Sequence, residues 1–157
     1  MKARVVTVSD RVSRGEAEDT AGPTAQTMLA DVGFEADRVV VPDGVESVST
    51  ALRDAVGAEI PLVVTTGGTG VAPRDLTPEA TRAVIEREVP GLVEAMRSAT
   101  FGVNPHGMLS RGVAGVAGST LVVNLPGSVR AVEESLAVIA PALSHAVSLV
   151  VGGPSSH

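Results

Sequence analysis

Residues 60–80 read Ile60-Pro61-Leu62-Val63-Val64-Thr65-Thr66-Gly67-Gly68-Thr69-Gly70-Val71-Ala72-Pro73-Arg74-Asp75-Leu76-Thr77-Pro78-Glu79-Ala80. A short apolar run stops at a glycine cluster, and a helix start follows. Ile60 to Thr65 has the length and branching of a strand buried on both faces, with Pro61 tolerated near its start. Thr77 suits a helix cap, Pro78 the first helical position, and Glu79 the positive end of the helix dipole. Between strand and helix, Gly67, Gly68 and Gly70 let the backbone turn sharply and approach a ligand closely. Successive N–H groups in such a turn can cradle an anion, and Thr66 and Thr69 add hydroxyls. A tight strand-to-helix turn without a ligand has the same glycine content. Two familiar loops are excluded. No lysine follows the glycines, as a P-loop requires, and Gly68-Thr69-Gly70 runs on into Val71-Ala72-Pro73 without the third glycine of the dinucleotide fingerprint.

Working outward, the same alternation repeats. Arg4 to Ser9 predicts a buried strand ending in a polar turn, and residues 10–20 a loop. A helix is expected from about Pro23 to Val32, stopped by Gly33. Val39-Val40-Val41 predicts a second strand, closed by Pro42 and the Asp43-Gly44 turn. Val45, Val48, Ala51, Leu52, Ala55 and Val56 recur at helical spacing. The helix after Thr77 is expected to reach about Glu88, and another runs from Pro90 to a stop at Gly102. Residues 103–109 read as loop, 110–116 and 120–124 as strands, and 125–128 as a turn. A last helix should extend from Ser128 to about Val150, bent or broken at Pro141. Strands alternating with helices predict an α/β fold with a mostly parallel sheet covered on both faces. Residues 1–151 form one domain in this reading, and 152–157 a flexible C-terminal tail.

Composition narrows the function classes. The chain has 157 residues, 44% apolar and 19% charged, which suits one globular domain. Phe34 and Phe101 are the only aromatics, so Val, Ala and Leu must build the core. Twelve Lys and Arg against eighteen Asp and Glu give a net charge of −6. No basic cluster offsets that charge, which argues against nucleic acid as a partner. The absence of cysteine excludes disulfides, thiolate metal sites and a cysteine nucleophile. No apolar run reaches membrane-spanning length and no signal peptide is visible, so the cytoplasm is the expected location.

Ligands of such sheets bind beyond the carboxyl ends of the strands. The loops expected there hold Ser9 and Asp10, residues 65–75, Asn124 to Ser128, and the Pro42-Asp43 turn. An acid beside phosphates is repelled unless a divalent cation lies between them, so Asp75 reads as a Mg²⁺ partner or a proton acceptor. It could instead pair with Arg74 or cap a turn. Arg74 could neutralise phosphate or hold the loop. His106, His145 and His157 are too scattered for a catalytic pair, although His106 lies in a loop that could visit the site.

The unbroken run TTGGTG, then Arg-Asp, then Thr-Pro-Glu-Ala at residues 65–80 resembles the MogA/MoaB family of molybdenum-cofactor proteins. Thr7-Val8-Ser9-Asp10-Arg11, Val41-Pro42-Asp43 and Asn124-Leu125-Pro126-Gly127-Ser128 match further family motifs, in order, over nearly the whole chain. The resemblance implies a three-layer α/β/α sandwich, a single molybdopterin-binding domain and a homotrimer. It also implies Mg²⁺-dependent transfer of AMP from ATP to molybdopterin, with pyrophosphate released and the product passed to a molybdenum insertase. Carried over by residue, Asp75 and Asp43 are the catalytic acids and candidate Mg²⁺ ligands. Thr66, Gly67, Gly68, Thr69, Gly70 and Arg74 would handle phosphate. Pro126, Gly127 and Ser128, with Asn124, would form a second anion site at a helix N-terminus. Ser9 and Asp10 would line the same pocket, and Ser110, with Arg111, stands where the family has a Ser-Arg pair. Gly44 follows Asp43 where many relatives carry a second acid, and Val129 follows Ser128 where proline is common. The alternative is an inactive paralogue that binds pterin or nucleotide without catalysis.

Overall fold

The computed structural model describes residues 1–153. Six strands form one sheet: β1 (Lys2–Val8), β2 (Glu35–Val41), β3 (Leu62–Thr66), β4 (Arg87–Glu88), β5 (Ala114–Ala117) and β6 (Thr120–Leu125). Their order is β2-β1-β3-β6-β5-β4. β2, β1, β3 and β6 are mutually parallel, and β5 and β4 add antiparallel pairs at one edge. The helices are α1 (Asp10–Ser13), α2 (Ala21–Asp31), α3 (Val45–Gly57), α4 (Thr77–Arg82), α5 (Pro90–Ser98) and α6 (Val129–Val150), with a 3₁₀ turn at Pro105–Leu109.

The strand pattern explains the layers. Leu62 and Val64 of β3 join a core with α2, α5 and α6, whereas Val63 joins a second core with α3 and α4. A strand with apolar residues on both faces needs cover on both, which gives the α/β/α sandwich. α6 contributes Val132, Leu136, Ile139, Leu143 and Val147 from one stripe at helical spacing, each almost fully buried. Across the sheet, Val8 is level with Val41, and Thr7, Thr66 and Leu125 are level with one another. The four parallel strands therefore end at one edge, where their loops meet.

Several boundaries differ from expectation, for physical reasons. Residues 10–13 are helical, because the Ser9 hydroxyl accepts a hydrogen bond from Val12 N–H and caps the turn. β2 starts at Glu35, not Val39; it is an edge strand, so its charged residues face water and hide the pattern. α4 ends at Arg82, not Glu88, because Glu86 and Val89 N–H groups bond to Val116 and Ala114 carbonyls and draw the chain onto β5. Gly115 permits that approach: a Cβ there would meet the Arg87 carbonyl at 2.7 Å. Residues 110–113 are not strand, and the expected loop before them contains the 3₁₀ turn. Thr77 does not cap α4; its hydroxyl donates to the Gly67 carbonyl. α6 runs through Pro141 without a break. Pro141 and Ala137 are both exposed, so the carbonyl that loses its N–H partner faces water. At the end of α6, Gly152 and Gly153 N–H groups bond to Leu149 and Ser148 carbonyls. The remainder of the expected tail, 154–157, lies outside the described residues.

Candidate active site

The glycine loop is turned so that its carbonyls face the protein. Gly67 and Gly68 carbonyls accept from the Thr77 hydroxyl and Thr77 N–H, and the Thr69 carbonyl accepts from Arg111 N–H. The Gly70 carbonyl accepts from Arg111 Nε at 2.7 Å. The N–H groups of Gly68, Thr69, Gly70 and Val71 have no partner among the described residues. Four consecutive free amides behind anchored carbonyls are the arrangement that an anion cradle requires. Gly67 and Gly68 hold φ values of +94° and +67°, the left-handed region that glycine tolerates. Gly70 leaves room for Asp75, whose Oδ2 would lie 2.7 Å from a Cβ there.

Three loops are locked together beside the cradle. Asp10 N–H donates to Asp43 Oδ2 at 2.9 Å, and Asp43 N–H donates to Asp10 Oδ1 at 3.2 Å. Arg74 donates to both Asp10 oxygens and, at 2.9 Å, to the Asp43 carbonyl. Arg74 thus holds the loops, one of the two roles open to it in the sequence. Its partner is Asp10 rather than Asp75. Asp75 instead accepts Ala72 N–H at 3.0 Å, closing the turn. Arg74 holds the Asp10 carboxyl below its usual range. Burial pushes the Asp43 carboxyl up; the Asp10 N–H offsets this in part, and the charges of Asp10 and Asp75 add to it.

A raised carboxyl in the folded state costs stability once it ionises, and that cost disappears as pH falls below the carboxylate range. Asp43→Asn keeps an oxygen for Asp10 N–H and removes the charge. It is expected to raise Tm by a few degrees at pH 7 and by less near pH 4. Turnover should nevertheless fall about a hundredfold, because a pre-aimed charge is lost from the site. Thermal melts and turnover of the same sample check both halves.

Two clefts open at the strand ends. The first, about 280 Å³, brings together Ser9, Asp43, Thr66, Gly67, Gly68, Asp75 and Gly127 from the expected set. The second, about 520 Å³ and more apolar, is lined by Ser110, Pro126, Gly127 and Ser128, and His106 does reach it. Gly127 borders both clefts, and a Cβ on it would lie 3.1 Å from the Gly67 Cα, so the two loops touch glycine to glycine. Ser128 caps α6 by accepting Ala131 N–H, and both residues line the second cleft, so the positive end of a 22-residue helix lies at its edge.

Asp10, Thr69, Gly70, Arg74 and Asn124 border neither cleft. Asn124 is 1% exposed and its side chain is fully used internally. Its Nδ2 donates to the Thr65 and Thr81 hydroxyls at 3.1 and 2.9 Å, and its Oδ1 accepts Val113 N–H at 3.1 Å. It ties β3, α4 and the segment before β5 together instead of touching a ligand. Asn124→Ala would leave these buried groups unpaired and is expected to cost about 2–4 kcal/mol in denaturant unfolding.

Sequence reasoning missed Glu18, Asp19, Arg97 and Asn104, which also line the clefts. Asp19 accepts Gly22 N–H at 2.9 Å and the Thr7 hydroxyl at 2.8 Å. An Asp three residues before a helical N–H is a capping signal, so this one could have been found. Asn104 likewise precedes Pro105 and caps the 3₁₀ turn by accepting His106 N–H, whereas Glu18 and Arg97 carry no local signal.

The carboxylates bear on metal binding. Asp43 Oδ1 and Asp75 Oδ1 have no hydrogen-bond partner among the described residues, and both carboxylates border the first cleft. Among those residues, no group of three or more His, Cys, Asp or Glu is placed to hold a metal. Two acids with free oxygens fit Mg²⁺, which keeps waters and shares its shell with substrate phosphates.

Residues 4–145 match the family described as "Probable molybdopterin binding domain". Gephyrin of Dictyostelium discoideum is 39% identical over 163 residues, covering 97% of this chain and 23% of gephyrin. The chain thus spans about a quarter of that relative's length. The molybdopterin adenylyltransferase of Helicobacter pylori is 37% identical over 152 residues, covering 94% of this chain and 86% of that protein. The crystal structure of the molybdopterin biosynthesis enzyme MoaB from Thermus thermophilus superposes with a TM-score of 0.90 at 47% identity, covering 99% of both chains.

Proposed function

The chain belongs to the MogA/MoaB family of molybdopterin-binding proteins of molybdenum cofactor biosynthesis, and from that premise we propose that it is a molybdopterin adenylyltransferase. The observation that carries this reading is the meeting of two clefts at Gly127, one lined by Gly68 of the glycine loop and by the Asp43 and Asp75 carboxylates, the other by Ser128 at the start of α6. Two polyanionic substrates need such an arrangement: a site for each, and a shared wall where they react.

The terminal phosphate oxygen of molybdopterin attacks the α-phosphorus of ATP. The bond from that phosphorus to the bridging oxygen breaks, and pyrophosphate leaves with its electron pair. No covalent enzyme intermediate is needed. The Gly68 amide would hold a phosphate oxygen in the first cleft, with the amides of Thr69 to Val71 next along the loop for phosphates that extend beyond it, and the α6 N-terminus would do so on the other side. Asp43 and Asp75 would hold Mg²⁺, which offsets the repulsion between the phosphates when bound. The Asp10–Arg74–Asp43 lattice keeps both carboxylate loops in place, so alignment comes from a preformed frame. The acidic lining of the first cleft (Glu18, Asp19, Asp43, Asp75) supports a requirement for a cation beside the triphosphate.

The test is pyrophosphate release. Wild type with Mg-ATP should release it only when molybdopterin is present. A protein that binds the pterin and releases none is the binding-only form. A homotrimer, a cytoplasmic setting and handover to a molybdenum insertase belong to the same reading. Exposed Phe101, Val103, Met108 and Leu109 on one loop support self-association. No helix among the described residues is long and apolar enough to cross a membrane.

A further inference from the structure

Arg111 lies behind the glycine loop, on the side away from the free amides. Its Nε donates to the Gly70 carbonyl at 2.7 Å and its Nη2 to the Asp75 carbonyl at 2.6 Å. Nη1 donates to Glu79 Oε1, and Nη2 reaches Glu79 Oε2 at 3.4 Å. The Arg111 backbone N–H donates to the Thr69 carbonyl at 2.8 Å. One residue thus grips the loop at three carbonyls, while Glu79 on α4 holds the guanidinium in its plane. Residue 111 borders neither cleft at Gly127, so it does not touch a ligand there.

A carbonyl and the next residue's N–H belong to one rigid peptide plane and point in opposite directions. Pulling the Thr69 and Gly70 carbonyls back therefore turns the Gly70 and Val71 N–H groups outward. Gripping the Asp75 carbonyl fixes the backbone from which that carboxylate projects. Lysine cannot replace this grip, because a single ammonium lacks the planar fork that reaches three acceptors at set angles. We infer that the Arg111 side chain is a positioning group that sets the direction of the Val71 amide, through the Gly70 carbonyl, and of Asp75. The inference rests on the adenylylation reading for its kinetic consequence and on the geometry alone for its binding consequence.

The experiment compares wild type, Arg111→Lys and Glu79→Gln as full-length chains. The Arg111 side chain is 37% exposed and outside the apolar cores, so its replacement should leave the fold intact. Arg111→Lys is expected to lower kcat about 30- to 100-fold, with a smaller change in KM for ATP, since misplacing reacting groups slightly is enough for such a loss. Glu79→Gln should shift kcat in the same direction by less. Titration with inorganic pyrophosphate, read by NMR at the backbone amide of Val71, should move this signal in wild type and much less in Arg111→Lys, whereas Gly70, whose peptide is held by the backbone N–H of residue 111, should respond alike in both. A wild-type Val71 response in Arg111→Lys overturns the inference, as does a kcat loss that merely follows the unfolded fraction. If Arg111→Lys does not fold, Glu79→Gln decides: wild-type kcat and amide response there also overturn it. If wild type releases no pyrophosphate, the adenylylation reading falls, and the amide titration still judges Arg111.

Discussion

Asp75→Asn is expected to lower the rate of pyrophosphate release about a thousandfold or more while the protein stays folded. Asparagine is isosteric and can still accept Ala72 N–H, the bond that closes the turn. The change is therefore confined to the negative charge and to the free oxygen facing the cleft. Losing a pre-aimed charge at the reacting centre commonly costs two to three orders of magnitude, roughly 2.7–4 kcal/mol of barrier. Circular dichroism and Tm should match wild type within a few degrees. A variant that retains a tenth of wild-type turnover would remove Asp75 from the chemistry.

Gly67→Ala is expected to damage fold and activity together. Gly67 holds a φ of +94°, and a Cβ there would sit 2.4 Å from the Val8 carbonyl oxygen. That neighbour is backbone of a central strand and cannot rotate away. The conformational cost and the clash together predict a loss of about 2–4 kcal/mol in unfolding free energy. Gly67 also touches Gly127 across the junction of the clefts, so any shift that relieves the clash moves the wall shared by both substrates. Turnover should fall further than the loss of folded protein explains. Denaturant unfolding and turnover per folded molecule separate the two effects.

The local pattern of residues 60–80 revealed the central strand, the glycine turn and the helix after it, because each depends on neighbours in sequence. The alternation of elements revealed the layered sheet for the same reason. The roles of individual polar side chains were less legible. The sequence leaves Arg74 open between a phosphate partner and a loop holder, and its pairing with Asp10, 64 residues away, is visible only in the fold. Asn124 stands inside a loop motif, yet β6 lies between partners that consume its amide. Arg111 finds Glu79 at a separation of 32 residues, which no local spacing rule contains. α4 stops early because β5 captures the following residues, and that capture depends on a glycine 30 positions downstream of Ile85. The pairings that sequence cannot show are long-range, set by which strands end side by side.

The central claim is that the two clefts hold ATP and molybdopterin so that AMP passes directly between them. Incubating the wild-type protein with Mg²⁺, molybdopterin and ATP labelled at the α-phosphate, for a single turnover, tests it most directly. The label is expected to move into a pterin-bound product in step with pyrophosphate release. Label remaining in ATP while the pterin stays bound, or appearing only as free AMP, would contradict it.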